Sequence, residues 1–364
     1  MMRICIQYQA GMKCEQLTEA GFDCIEYRYT EEAEEHDPIE VCACPIAGLT
    51  VSPEMLRKAG FAQVLHRTLA LAASYLVIET VGIQDGAVLY AFLEPHLEEI
   101  RRSGVRVYIE NGYHRRSGGQ MVRDDFSESS MLNGLVDQLN LQSQGASFGI
   151  CFHVGHANLL SQNAGAMIEE FGSRIALLHA CDNDGIHDFD QLPYTFTKGR
   201  GELVTDWYGM IGTLARCHFH GSVVFSLTGL FCVSPQQLHP VWYELLVAIG
   251  QEWKQILELD LYLAEKDCRI LFGAGRMFRN YMKVWGEEYP PIFTVDNNRE
   301  LWGEKQLGIE IRSPQAILEY TKEERNVFLC NMYYEPMERQ LAEMGIESKR
   351  YNNQYFFRQE GIEA

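Results

Sequence analysis

The stretch FGICFHVGHANLL, residues 148–160, decides the fold, because an unbroken apolar run ends there in polar side chains. Strands that helices cover on both faces read as continuous apolar runs rather than as an alternation of apolar and polar residues. His153 and His156 stand where this run ends. The stretch therefore predicts a buried parallel strand with two imidazoles at its carboxyl end.

Seven further segments resemble this one, and helical patterns separate them. Eight strands with intervening helices in about 250 residues predict an α/β fold, a (β/α)8 TIM barrel. A doubly wound sheet is the alternative, but eight strands would be a high count for it. The strands are predicted at residues 3–8, 23–29, 40–46, 75–80, 105–110, 148–154, 174–180 and 222–227.

A second strand–helix pattern follows the barrel. The sequence predicts the barrel over residues 1–250, a connecting helix over 251–265 and a small Rossmann-like α/β domain over 266–364. In LFGAGRMF (271–278), Gly273 and Gly275 lie between a strand and a helix, and Asp296 closes the next strand. These three residues are the candidate nucleotide-binding residues. Phe278 stands where a complete fingerprint would have its third small residue, so the motif alone is weak.

The composition limits the partners. A formal charge of −19 repels phosphate backbones and anionic bilayers, which argues against nucleic-acid and membrane partners. The eleven cysteines are scattered without a C-x-x-C pair, and several lie in apolar runs, including Cys5 and Cys24. We expect free buried thiols, a reducing compartment and a cytoplasmic location. The start of the chain lacks a signal-peptide pattern, and a homo-oligomer remains open.

Polar residues close three successive strands of the predicted barrel. The carboxyl ends of barrel strands form the active-site face, so these residues are candidates for chemistry. Their nitrogen and oxygen atoms could bind a divalent metal ion. Each residue alone is more often a solvated strand end, an interior histidine or a turn former. The candidates are Glu110, His153, His156, His179, Asp182 and, from the last strand, Ser226.

The first 250 residues resemble the xylose isomerase-like barrels, which include sugar-phosphate isomerases and epimerases, inosose dehydratases and apurinic endonucleases. The resemblance rests on VYIENG (107–112), CFHVGHAN (151–158), IALLHACDNDGIHDFDQLP (175–193), KGRGELVTDW (198–207) and GSVVFSL (221–227). It implies one divalent cation, held by a Glu, an Asp, a His and a Glu on the last four strands. Glu110 and His179 match that pattern, and His156 matches a pocket residue.

Two of the four implied ligands are changed. His153 replaces the Asp and Ser226 replaces the second Glu. Glu110, His153 and His179 still form a set of two imidazoles and one carboxylate, which favours zinc, iron or manganese over magnesium. His153 is either an exchanged ligand or the sign of a site that has decayed.

The resemblance implies proton transfer beside a sugar carbonyl, with Glu110 and His153 as the candidate catalytic residues. Ser226 cannot serve as a second base, so one-base isomerisation, dehydration or a role for His153 stays open. His156, Asp182 and Ser226 are candidates for binding a sugar or sugar phosphate. Lys198 and Arg200 could bind its phosphate or carboxylate, although exposed loop cations are more often only solvated.

The second domain resembles small Rossmann-like modules that bind nucleotide sugars, through GAG (273–275), DNN (296–298) and GIEIRSP (308–314). This implies a nucleotide or nucleotide sugar near Gly273, Gly275 and Asp296. The alternative is a docking domain that keeps the fold without its ligand. The predicted function is a metal-assisted sugar isomerase or epimerase, and its rival is a catalytically degenerate barrel that binds sugars or partners.

Overall fold

The computed structural model describes residues 2–9, 12–30, 44–145, 147–196 and 205–351. The chain divides into two compact units, residues 1–253 and 254–364. Among the helices of the described ranges, none is both long and apolar enough to cross a bilayer.

The first unit contains eight parallel strands that close into a barrel. Each strand pairs with its neighbours in chain order, and the last pairs with the first. The predicted eight-stranded α/β barrel is therefore confirmed. The barrel strands are β1 Arg3–Tyr8, β2 Cys24–Arg28, β3 Ile46–Val51, β4 Tyr75–Ile78, β5 Arg106–Glu110, β8 Phe148–His153, β9 Ile175–Ala180 and β10 Ser222–Phe225.

The third strand begins later than its prediction. We expected it at 40–46, but β3 starts at Ile46, and residues 40–43 lie outside the described part of the chain. The sequence of β3 is IAGLTV, which reads weakly as a strand because of Gly48 and Thr50. A side chain at Gly48 would collide with the ring of Tyr75, 2.1 Å from its Cβ position, so packing requires the glycine.

The helices of the first unit mostly follow the barrel strands. Ser52 caps the helix after β3, since its hydroxyl accepts the N–H of Met55 and Pro53 takes the first helical position. A short antiparallel hairpin, β6 His114–Arg115 and β7 Met121–Val122, follows β5. The helices are α1 Cys14–Ala20, α2 Pro53–Ala59, α3 Phe61–Ala70, α4 Gly86–Leu93, α5 Leu97–Ser103, α6 Ser129–Ser143, α7 Val154–Leu159, α8 Ala164–Phe171, α9 Trp207–Arg216, α10 Thr228–Val233 and α11 His239–Leu257.

An apolar layer inside the barrel supports a polar layer above it. Side chains two residues apart on a strand point to the same face. The residue two positions after each of six apolar-layer members is polar, and these six residues lie toward the carboxyl ends of the strands. The apolar layer is Cys5, Cys24, Ala47, Tyr75, Val77, Cys151, Leu177 and Val224. The six polar residues are Gln7, Glu26, Glu79, His153, His179 and Ser226.

Two cysteines of the apolar layer are covalently joined. Cys5 and Cys24 are partners in the register of β1 and β2, and their sulfur atoms form a disulfide. The expectation of free thiols is wrong for this pair, because the strand register that brings them together is not visible in the cysteine spacing. Seven other described cysteines are free thiols.

The second unit is built on a six-stranded sheet in the order β13-β14-β12-β11-β15-β16. All neighbours are parallel except β13 and β14. Separate apolar clusters, one with Ile270 and Phe272 and one with Leu271, cover the two faces of the sheet. The strands are β11 Cys268–Phe272, β12 Phe293–Val295, β13 Lys305–Gln306, β14 Ile309–Arg312, β15 Arg325–Leu329 and β16 Lys349–Arg350.

Three α-helices lie in the second unit: α12 Leu259–Ala264, α13 Arg276–Val284 and α14 Tyr334–Glu343. The predicted connecting helix over 251–265 is not continuous. The end of α11 and the whole of α12 occupy that range, and Glu258 separates them.

Candidate active site in the barrel

A cavity of about 570 Å³ lies at the carboxyl ends of the barrel strands. Most of the residues that the sequence singles out reach it, together with charged residues that it did not single out. The lining includes Arg28, Arg57, Glu79, Glu110, His153, His156, His179, Asp188, Asp190 and Ser226.

Two buried carboxylates hold the ring of His179 from opposite sides. Nδ1 of His179 lies 2.6 Å from Oε1 of Glu110, and Nε2 lies 3.0 Å from Oε1 of Glu26. The three residues are 1%, 2% and 0% exposed, in the order His179, Glu110, Glu26. Sequence reasoning predicted Glu110 and His179 but missed Glu26, which lies in the middle of β2.

The electrostatics favour charge on His179 and on Glu26. Burial by itself lowers the pKa of His179, but Cys151, Glu26 and the hydrogen bond to Glu110 together raise it well above its ordinary value. Burial by itself raises the pKa of Glu26, but the charge and hydrogen bond of His179, with the hydrogen bond from Thr50, keep it below its ordinary value. Two carboxylates around one imidazole leave net negative charge in the barrel.

Glu79, at the end of β4, is another carboxylate that the sequence did not single out. It forms an ion pair with Arg28, with 2.8 Å between Nη2 and Oε2. Burial raises the pKa of Glu79 to about 7, with Arg28 opposing the shift and Glu110 adding to it. The cavity wall therefore contains a carboxyl group that changes charge near neutral pH.

His153 caps a helix. It precedes α7, and its Nδ1 accepts the backbone N–H of His156 at 3.2 Å. Burial, followed by the charges of His156 and His179, holds the pKa of His153 well below its ordinary value, so the ring is neutral. A nitrogen that accepts a hydrogen bond has no proton, so the proton of His153 lies on Nε2.

His156 carries its proton on the other ring nitrogen, Nδ1. Its Nδ1 lies 2.7 Å from the backbone oxygen of Asn111, which can only accept, so Nδ1 carries the proton. The ring stacks on His153 with 3.7 Å between centroids. His156 is 7% exposed and lines the cavity, and its Nε2 has no partner among the described residues.

Asp182, a predicted substrate-binding residue, is fully buried. Its carboxylate accepts hydrogen bonds from the indole of Trp207 and the hydroxyl of Thr205, each at 3.1 Å, and from the N–H of Asn183 at 2.9 Å. These contacts give Asp182 a structural role between β9 and α9. Lys198 and Arg200 lie outside the described residues.

Ser226 reaches the cavity, but its hydroxyl is engaged. It donates to Oε1 of Gln7 at 3.1 Å, and Gln7 donates to Glu26 at 3.2 Å. Ser226 is thus connected to Glu26 through one side chain.

The predicted metal ligands lie close together. Potential ligand atoms of Glu110, His153 and His179 are all within 4.8 Å of one another. The carboxylate of Glu26 on Nε2 of His179 resembles the partner that most metal-binding histidines have on their second nitrogen. The negative charge of Glu26 and Glu110 also suits a divalent cation, since unpaired buried charge is costly. Glu110 and His179 fit the group, with the cation replacing the proton on Nδ1 of His179. A neutral His153 would have to give up its helix cap, since Nε2 can bind a metal only if its proton moves to Nδ1.

A second cluster, of His153, Cys181 and Asp190, has ligand atoms at similar spacing. Sγ of Cys181 lies 3.6 Å from Nε2 of His153, which carries a proton. Burial, followed by the charge of Asp190, raises the pKa of Cys181 well above its ordinary value, and its neutral thiol hydrogen-bonds Asp190. These three groups satisfy one another as a hydrogen-bond network.

In the second unit, the predicted nucleotide-binding residues meet at one loop. Gly273 has a φ of +123°, and a Cβ there would lie 2.5 Å from the backbone oxygen of Cys330. The carboxylate of Asp296 accepts the N–H of Ala274 at 2.9 Å and that of Asn298 at 2.8 Å. Asp296 thus holds the Gly273–Gly275 loop in place, and Gly275 precedes α13.

No family model matches the chain, and no curated protein matches it. Among solved structures, L-ribulose 3-epimerase matches with a TM-score of 0.51 and 13% identity, over 72% of this chain and 98% of that one. A D-tagatose 3-epimerase-like protein matches at 0.49 and 16%, over 71% and 100%. A xylose isomerase domain protein from Planctomyces limnophilus matches at 0.48 and 10%, over 71% and 96%.

These neighbours are xylose isomerase-like TIM-barrel epimerases and isomerases, and they cover about 70% of the chain. At such low identity the likeness shows the fold alone. The resemblance read from the sequence is therefore confirmed for the fold of the barrel.

Proposed function

We propose that the barrel is a metal-assisted sugar or sugar-phosphate isomerase or epimerase. The observation that carries the proposal is the pair Glu110–His179, buried at the base of a cavity with 2.6 Å between Oε1 and Nδ1. The fold that L-ribulose 3-epimerase shares with this barrel supports a sugar as the substrate class. The cavity, at about 570 Å³, lies in the size range of small-molecule sites.

Glu110 and His179 would hold the divalent cation, which would polarise a carbonyl and a hydroxyl oxygen of the sugar. The second oxygen of Glu110 is the proton acceptor that we propose, since it lies on the side of His156 at 3.8 Å from Nδ1. His156 would bind a sugar hydroxyl through Nε2, with Asn111 fixing the orientation of the ring. Proton transfer beside a carbonyl needs one such base.

Glu79, Asp188 and Asp190 also line the cavity, but the two positions at which the resemblance implies further carboxylates hold none. Ser226 donates to Gln7, and neutral His153 has its Nδ1 occupied by the helix cap. Neither provides a carboxylate on the opposite face of a bound sugar. We therefore favour one-base isomerisation over epimerisation by two carboxylates.

The test is the metal content of protein purified without chelator, measured by mass spectrometry. We expect about one zinc, manganese or iron ion per chain in the parent, and loss of that ion in Glu110→Ala and His179→Ala. The exposed His114→Ala variant is the control and should keep the ion. The proposal fails if the parent never contains stoichiometric metal and the variants have the same melting temperature as the parent. The barrel would then be a binding protein rather than this enzyme.

We also propose that the second unit is a Rossmann-like module that binds a nucleotide or nucleotide sugar. The strand order supports this proposal. From the central strand β11, the strands β12 and β14 follow on one side of the sheet, and β15 and β16 follow on the other. In doubly wound sheets the ligand binds where this order reverses, here between β11 and β15. Gly273, at the end of β11, approaches Cys330, just after β15, at that point.

Thermal shift with nucleotides and nucleotide sugars tests this second proposal. The parent should gain stability with one of them, and Gly275→Val should lose the gain, since a side chain would stand at the start of α13. An equal gain in Gly275→Val, or none from any compound, would remove the proposal.

A further inference from the structure

A continuous chain of side chains crosses the polar layer of the barrel. Ser226 donates to Gln7 at 3.1 Å, and Gln7 donates to Glu26 at 3.2 Å. Glu26 then faces Nε2 of His179 at 3.0 Å, whose Nδ1 faces Glu110 at 2.6 Å. Every member is at most 5% exposed. The chain connects five barrel strands, β10, β1, β2, β9 and β5.

We propose that Glu26 is a positioning residue for His179. Its carboxylate accepts a hydrogen bond from the Nε2–H of His179, which directs Nδ1 toward Glu110 and toward a cation held there. Glu26 also supplies, from β2, a negative charge in a barrel whose last strand offers Ser226. This inference rests on the proposed function for the cation, but the hydrogen bond to Nε2 stands by itself.

Glu26 does not share a ligand position with Glu110. The two nitrogens of an imidazole point away from each other, and the two carboxylates face different nitrogens of one ring. One ion bound to Nδ1 therefore cannot also contact Glu26. The role of Glu26 is to orient the ring and add charge behind it, as carboxylates do for metal-bound histidines.

The neighbours of Glu26 hold it in this position. Its Oε1 accepts hydrogen bonds from the hydroxyl of Thr50, on β3, and from the amide of Gln7, on β1. The side chain is thus fixed by strands on both sides of β2, and no exposed surface remains. A fully buried carboxylate needs such partners, because an unpaired one would be strongly destabilising.

The first experiment measures the hydrogen bond. With ring-15N histidine, the protected Nε2–H of His179 should give a proton resonance in metal-free protein, assigned by its absence in His179→Gln. We expect Glu26→Leu to lose this resonance and the control Glu169→Gln, at an exposed residue outside the cavity, to keep it. A resonance that persists in Glu26→Leu would overturn the proposal.

The second experiment measures the binding of manganese ions by calorimetry. Glu26→Gln keeps the shape and removes the charge, and should weaken binding about 10–100-fold. Glu26→Asp keeps the charge and should stay within roughly tenfold of the parent, as should the control Glu169→Gln. If Glu26→Gln binds manganese as tightly as the parent, the charge of Glu26 has no role in holding the cation.

The outcomes separate this inference from the proposed function. If the parent binds no manganese, the cation of the proposed function fails, and the resonance alone decides the role of Glu26. If Glu26→Leu does not fold, the comparison of Gln and Asp at position 26 decides it, since both variants keep polar partners for Thr50 and Gln7.

Discussion

The backbone N–H of His156 donates to Nδ1 of His153, 3.2 Å away, so the first histidine of the pair caps the helix that carries the second. The amide of Asn111 supports the same corner, since its Nδ2 donates to the backbone oxygen of His153 at 3.1 Å. The backbone oxygen of Asn111 accepts from His156. His153 thus organises the site through its Nδ1.

Asparagine at position 153 should preserve the cap, and alanine should not. Asn is among the best N-cap residues, whereas Ala leaves the N–H of His156 without a partner. We expect His153→Ala to be less stable than His153→Asn by about 1 kcal/mol in urea unfolding. Equal stability of the two variants would show that the cap contributes nothing.

Variants at position 153 also test whether His153 is a metal ligand. If Glu110 and His179 hold the cation, His153→Asn should keep metal affinity within roughly threefold, because no ligand is lost. His153→Asp also caps the helix but adds a carboxylate, and should bind manganese about tenfold more tightly than His153→Asn. A large loss in His153→Asn, measured by calorimetry, would instead make His153 a ligand.

The polar strand ends could be predicted from sequence, but Glu26 could not. Glu110, His153 and His179 end apolar runs, and parallel strands bring such ends to one face. Glu26 lies inside DCIEYRY, and a barrel strand is covered on both sides, so the sequence does not tell which alternate residues face the interior. Only the closed barrel shows that Glu26 points toward His179.

The pattern of the second unit shows a similar limit. The strand, the glycine turn and Asp296 could be read from LFGAGRMF and PPIFTVDN. The use of Asp296 could not, because its two hydrogen bonds to backbone N–H groups depend on how β11 and β12 pair. A carboxylate at a strand end looks the same in sequence whether it binds a ribose or its own loop.

Glu79 should make stability depend on pH in a specific direction. Its folded pKa, raised by burial to about 7 from an ordinary value of 4.5, means that the folded state binds the proton more tightly. The contribution of Glu79 to the free energy of unfolding is therefore largest below about pH 4.5 and is lost as the pH rises through about 7. Glu79→Gln should remove this loss, on the order of 1–3 kcal/mol between pH 5 and 8. Urea unfolding at both pH values checks this, and an unchanged difference in the variant would contradict it.

Asp182→Ala should reduce stability without touching the metal site. The substitution leaves the indole N–H of Trp207 and the hydroxyl of Thr205 without their acceptor, in a fully buried position. We expect a loss of about 2–4 kcal/mol in urea unfolding. Manganese affinity at low temperature should match the parent. Loss of affinity at unchanged stability would instead support Asp182 as a binding residue.

Substitution by alanine should destabilise the protein at one glycine of the second unit and have little effect at another. Gly273 has a φ of +123°, and its added Cβ would lie 2.5 Å from the backbone oxygen of Cys330, which cannot move without disturbing the loop after β15. Gly275 has a φ of −89°, and nothing lies within 4 Å of its Cβ position. Gly273→Ala should therefore destabilise the protein by about 1–3 kcal/mol through backbone strain and the collision. Gly275→Ala should stay within about 0.5 kcal/mol of the parent, because its conformation is open to alanine. Thermal and urea unfolding of the two variants measure this difference, and an equal effect at both positions would mean that the approach of Gly273 to Cys330 does not constrain the loop.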